Sequence, residues 1–98
     1  MDQEHVLSIV RRYRDELGDS FGPVQVYLYG SYSTNSAREW SDIDIAVVFP
    51  CFNGDWHEVS AMLWKIGWKI SNLIEPVLID ASHPSPLYDE VLRTGIAA

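Results

Sequence analysis

The apolar positions along the chain change their period several times, and each change marks an element. Val6, Ile9, Val10, Tyr13 and Leu17 recur at helical spacing, with Arg11, Arg12, Arg14, Asp15 and Glu16 on the remaining surface. This predicts an amphipathic helix over residues 3–17, closed by Gly18. Asp19 to Pro23 reads as a turn. Val24, Val26 and Leu28 then alternate with Gln25, Tyr27 and Tyr29, the two-residue period of a strand that ends on Gly30-Ser31. A short polar helix is expected from Tyr32 to Ala37, then a loop through Arg38, Glu39 and Trp40. Residues 43–49 are apolar apart from Asp44, which is the pattern of a strand covered on both faces, and Pro50 ends it.

Asn53-Gly54 supplies the next turn, and Asp55 is placed to cap a helix over roughly 56–72. That helix carries two apolar stripes. Val59, Met62, Ile66, Ile70 and Leu73 form one, and Trp56, Ser60, Trp64 and Trp68 form the other, with Leu63 between them. One stripe suffices to pack on a sheet, so the tryptophan side is either additional core or an interface. Ile74 to Ile79 reads as a further strand with Glu75, Val77 and Ile79 on one face, and Pro76 means either that it lies near an edge or that its pairing begins after the proline. A Pro/Ser loop and a last helix, Leu87 to Arg93 before Gly95, complete the chain.

Composition narrows what this arrangement serves. With 98 residues the chain is expected to be one domain over 1–98, too small for a separate substrate domain. A net charge of −7 argues against a standing nucleic-acid partner, since phosphate backbones are bound by basic surfaces. Any nucleotide chemistry would therefore need cations. The single cysteine, Cys51, forms no internal disulfide, which fits a cytoplasmic protein. No stretch has the apolar length of a membrane span. His5, His57 and His83 are isolated, so a zinc site is not expected.

The chemistry concentrates between Tyr27 and Val48. Asp42 and Asp44 are two apart on a strand, hence on one face and about 6.6 Å apart along the chain. Two carboxylates at about 5 Å repel by about 3 kcal/mol at an effective dielectric near 20, which calls for a cation. Mg²⁺ suits them, because it takes one or two carboxylates and fills its other positions with water and substrate phosphates. Gly30 lets the backbone approach such a phosphate, and Ser31 offers a hydroxyl and an amide.

Together these residues, GSYSTNSAREWSDIDIAVV, resemble the signature of the nucleotidyltransferase superfamily related to the DNA polymerase beta palm: a Gly-Ser, a spacer of about this length, and Asp-x-Asp at a strand start. The small size is similar to that of the minimal nucleotidyltransferases, often the antitoxin partners of HEPN toxins. Where members commonly carry a small residue, an arginine and a glycine, this chain has Ser33-Thr34-Asn35. The resemblance implies an α/β (α+β) fold in the order αβαβαβα, a small mixed sheet of about three strands flanked by about four helices. It implies Mg²⁺ and ATP at a site whose third carboxylate, on the strand after the long helix, is Glu75, with Asp80 the competitor.

Asp42, Asp44 and Glu75 are then the metal-binding and catalytic candidates, and Gly30, Ser31, Ser41 and Arg38 the nucleotide-binding ones. Glu75 would complete the metal site or act as general base. The implied reaction transfers AMP to a hydroxyl, a tyrosine of a HEPN toxin. Two alternatives remain: an antitoxin that occludes its toxin by binding, and a transferase for small molecules of the aminoglycoside type. The second would have to dimerise to build an acceptor cleft, so a homo-oligomer stays an open option.

Overall fold

The alternation that separates core from surface along each strand also decides which helices cover which face of the sheet. A computed structural model describes residues 1–98. Helix α1 (Gln3–Phe21) leads to strand β1 (Gln25–Tyr29) and a single 3₁₀ turn (Gly30–Tyr32). Strand β2 (Ile43–Phe49), helix α2 (Trp56–Ile70), strand β3 (Ile74–Asp80), helix α3 (Pro86–Thr94) and strand β4 (Ile96–Ala97) follow. The strands lie in the order β3-β2-β1-β4. β1 is antiparallel to β2 and β4, while β2 is parallel to β3, so the sheet is mixed.

One face packs under α1 and α2: Val26, Leu28, Ile43, Ile45, Val47, Ile74 and Leu78 meet Val6, Val10, Tyr13, Leu17 and Leu63. On the other, Ala46, Val48 and Ile79 meet Val91 of α3, with Tyr27, Tyr29 and Val77 at the margin. Cover on both sides explains the apolar run of β2 from Ile45 onward. The buried Tyr13 hydroxyl donates to the Leu63 carbonyl at 2.9 Å, tying α1 to α2, and burial pushes its proton affinity far up. No helix is long and apolar enough to cross a membrane.

Four expectations change. Helix α1 passes through Gly18 to Phe21 and is closed instead by Gly22, at φ 72°, whose N–H donates to the Gly18 carbonyl. Phe21 lies one turn beyond Leu17 and packs edge-to-face on Phe49 at 5.8 Å. Burying that ring outweighs the ~1 kcal/mol cost of a glycine inside a helix. The helix expected at Tyr32 to Ala37 is the 3₁₀ turn at Gly30–Tyr32 followed by turns, which leaves three α-helices where about four were expected. The sheet has a fourth strand, β4, whose two residues are too few for any alternation to register. Met62, assigned by spacing to the packed stripe of α2, is 40% exposed.

The tryptophan side of α2 is surface. Trp64 and Trp68 are 37% and 60% exposed, their rings edge-to-face at 5.9 Å.

Candidate active site

Three strands deliver the site, and their register does the assembly. Tyr29 at the end of β1 lies opposite Asp44, and Asp44 in turn lies beside Glu75 on β3. Residues aligned across neighbouring strands share a face, so Tyr29, Asp44 and Glu75 form one row on the side covered by α3. Asp42, two residues before Asp44 and exposed at the strand's entrance, stands beside that row. Ile43 and Ile45 point the other way, into the main core, and their burial fixes the register that turns the aspartates outward.

Gly30 closes the corner. It adopts φ 74°, and a Cβ there would run into Asp44 Oδ2, so the turn passes the carboxylate at a distance only glycine permits. Ser31 and Ser33 continue the turn. Ser33 Oγ donates to the Gly30 carbonyl at 2.8 Å, and the Ser36 N–H donates to the Ser31 carbonyl at 2.9 Å.

The electrostatics mark these carboxylates as a set. Desolvation, and then the negative charge of Asp42, raise the pKa of Asp44 above its ordinary 3.8. Glu75 is likewise raised above 4.5, first by desolvation and then by the charges of Asp42 and Asp44 and a hydrogen bond shared with the Asp42 side chain. Burial raises the Tyr29 phenol, with Asp44, Glu90 and Glu75 adding to the effect. No donor of the protein offsets the charge at Asp44 or Glu75.

The side chains do not close into a ready-made cage of three ligands. The donor chemistry nevertheless fits Mg²⁺, which takes hard oxygen ligands from one or two carboxylates and leaves its other positions to water and phosphates.

The competitor for the third carboxylate falls elsewhere. Asp80 is aligned with Phe49 at the far end of β3, five residues or roughly 16 Å along the strand from Glu75. Its oxygens accept from the Ser82 N–H at 2.9 Å and the Ser82 hydroxyl at 2.6 Å, and Oδ2 pairs with His83 Nδ1 at 3.1 Å. These bonds hold its pKa down at about 2.

Ser41 and Arg38 occupy one turn before Asp42. The Arg38 N–H donates to Ser41 Oγ at 2.8 Å, so that hydroxyl closes the turn. The Arg38 side chain is exposed, and the two ion pairs of the chain, Arg14–Asp15 and His83–Asp80, leave it free. The sequence did not single out Tyr29 as part of the site. Its alternation with Val26 and Leu28 gives its face, but only the pairing across the long Gly30–Asp42 connection puts it beside Asp44.

The sequence matches the family described as nucleotidyltransferase domain over residues 10–93. It is 29% identical over 94 residues to the protein adenylyltransferase MntA of Thermococcus cleftensis, covering 93% of this chain and 86% of that protein. The fold is similar to a crystal structure of a putative nucleotidyltransferase from Sulfolobus solfataricus, with a TM-score of 0.70 and 20% identity over 97% of this chain and 80% of the other. A toxin–antitoxin crystallised with AMP-PNP also shares it, with a TM-score of 0.60 and 22% identity over 99% of this chain and 72% of the other. The match spans both halves of the site and the strands that hold them: the chain belongs to the nucleotidyltransferase domain family and is a nucleotidyltransferase.

Proposed function

We propose that this chain, acting as one domain over residues 1–98 in the cytoplasm, transfers AMP from ATP to a hydroxyl of a partner protein. The acceptor is a tyrosine of a HEPN-type toxin, and the transfer silences it. The observation that carries the reading is the Tyr29–Asp44–Glu75 row with Asp42 beside it, a concentration of negative charge that the protein itself leaves uncompensated. A relative that is a protein adenylyltransferase, and a shared fold with a toxin–antitoxin that takes an ATP analogue, support the same direction.

Asp42, Asp44 and Glu75 would hold Mg²⁺, which supplies positive charge to the triphosphate as pyrophosphate departs. Gly30 and Ser31 bind and orient the outer phosphates, with Arg38 as the nearby free cation. The acceptor oxygen forms its bond to the α-phosphorus while the bond from that phosphorus to the bridging oxygen of pyrophosphate breaks. Glu75 would either complete the metal site or, left outside it, take the hydroxyl proton. The test is incubation with α-labelled ATP, Mg²⁺ and the product of the neighbouring reading frame. Label on a tyrosine of that product, absent with Asp44→Asn, is expected; wild-type protein that transfers no label would overturn the reading.

The exposed Trp64/Trp68 pair favours a second reading, neutralisation by occlusion. Under it Asp44→Asn still rescues growth and Trp64→Ala does not. A small-molecule acceptor is less well served, because the cavities of about 380 and 350 Å³ are lined by residues such as Pro23, Pro50, Trp56 and Asp80, and by none of Asp42, Asp44 and Glu75.

A further inference from the structure

The two halves of the site are separated by the connection from Ser33 to Asp42, which contains no helix or strand. Something has to hold the phosphate turn at a fixed spacing from the aspartates. A run of hydrogen bonds crosses that gap. Gln3, in the first turn of α1, donates from Nε2 to the Tyr32 carbonyl at 2.9 Å and to Asn35 Oδ1 at 3.4 Å. The Tyr32 ring is 3% exposed in the main core, and its hydroxyl donates to the Arg38 carbonyl at 3.4 Å. Arg38 and Ser41 then exchange two bonds, Arg38 N–H to Ser41 Oγ at 2.8 Å and Ser41 N–H to the Arg38 carbonyl at 3.1 Å, and Ser41 is followed directly by Asp42. Asn35 sits at φ 58°, a left-handed conformation that asparagine tolerates better than most residues. Asparagine there keeps a turn that glycine would also make, and adds the side-chain oxygen that Gln3 reaches.

We infer that Gln3 and Tyr32 are positioning residues for the triphosphate: they brace the Gly30-Ser31 turn against helix α1 and against the Arg38–Ser41 turn that presents Asp42. The inference rests on the nucleotide reading above. Neither residue touches the reacting atoms. Losing the brace lets the phosphate turn wander relative to Asp42 and Asp44, which weakens nucleotide binding while the core packing, the Tyr32 ring included, stays in place.

Gln3 is half-exposed and begins a helix, so Gln3→Met removes the donor without adding charge or disturbing the core. Tyr32→Phe removes only the hydroxyl. Titration calorimetry with Mg²⁺ and ATP is expected to show affinity for ATP about five-fold weaker in Gln3→Met, the size of one hydrogen bond of ordinary net strength, with a smaller loss in Tyr32→Phe. KM for ATP rises with kcat nearly unchanged, melting temperatures fall by no more than the few degrees that one hydrogen bond accounts for, and the control Gln25→Met binds as wild type. Wild-type affinity in both variants, or a loss that disappears once affinity is corrected for the fraction folded at the assay temperature, would overturn the brace alone. A wild-type protein that binds no ATP would overturn the nucleotide reading, and this one with it.

Discussion

Strand β3 carries one carboxylate near each end, and the two are held in opposite ways. Glu75 lies beside Asp44 and within hydrogen-bonding reach of Asp42, and its pKa is raised. Asp80 is surrounded by donors from Ser82 and His83, and its pKa is lowered to about 2. Both sit on the same strand, and distance from water alone does not separate them, since the Asp80 side chain is only 12% exposed. The difference is the company each keeps. A carboxylate ringed with donors is finished and serves the loop that leaves β3, whereas a carboxylate facing other carboxylates across a glycine turn is left to a shared proton or, on the proposed reading, to a cation from outside.

The sharpest way to break this contrast is to neutralise one member of each set. Asp44→Asn is expected to reduce AMP transfer by about 10²-fold or more, in the range seen when a principal charge-stabilising group is removed. Relief of repulsion with Asp42 and Glu75 leaves its melting temperature at or slightly above wild type. Labelled-AMP incorporation and calorimetry on the same samples read both. Gly30→Ala comes next: the left-handed backbone and the collision with Asp44 are expected to cost about 1–3 kcal/mol in denaturant unfolding, together with most of the nucleotide affinity. Asp80→Asn is expected to do the reverse of Asp44→Asn. It lowers the melting temperature by loosening the loop at Ser82 and His83, and it leaves the transfer rate per folded molecule as it was.

The smallest effect is in the pH dependence of stability. At Asp44 and Glu75 the folded chain binds protons more tightly than the unfolded chain. Stability therefore falls as pH rises from their ordinary values of 3.8 and 4.5 through the raised folded values. At Asp80 the stabilisation is complete above 3.8 and is lost as pH falls from there toward about 2. Without metal, scanning calorimetry should show a melting temperature that declines on both sides of a mildly acidic maximum. Added Mg²⁺ should flatten the alkaline side and leave the acid side unchanged.

Much of this was legible because the relevant signals are local. The limits of β2 follow from an apolar run closed by Pro50, and the shared side of Asp42 and Asp44 follows from strand alternation alone. Of the two readings Pro76 allowed, the edge strand is the one found, since pairing with β2 already begins at Ile74. Glu75 was preferred to Asp80 for its place at the start of the strand, and the pairing with β2, set by how Ile43, Ile45 and Val47 pack against α1 and α2, lays Glu75 and not Asp80 beside Asp44. Tyr29 and Gln3 went unnoticed, since their partners lie across a long connection or an intervening element. β4 forms because the sheet offers β1 a free side and because the Ala98 N–H reaches the Val26 carbonyl, neither of which is written into Ile96 and Ala97.

The central claim is that the Asp44 and Glu75 carboxylates are an unfinished cation site while Asp80 is finished. A carboxyl-carbon NMR titration of the three residues, with and without Mg²⁺, addresses it directly. The account predicts that Asp44 and Glu75 titrate above their ordinary values in the free protein and shift downward when Mg²⁺ is added, while Asp80 stays near 2 throughout. Carboxyls at Asp44 and Glu75 that ignore Mg²⁺, or an Asp80 that responds to it instead, would contradict the account.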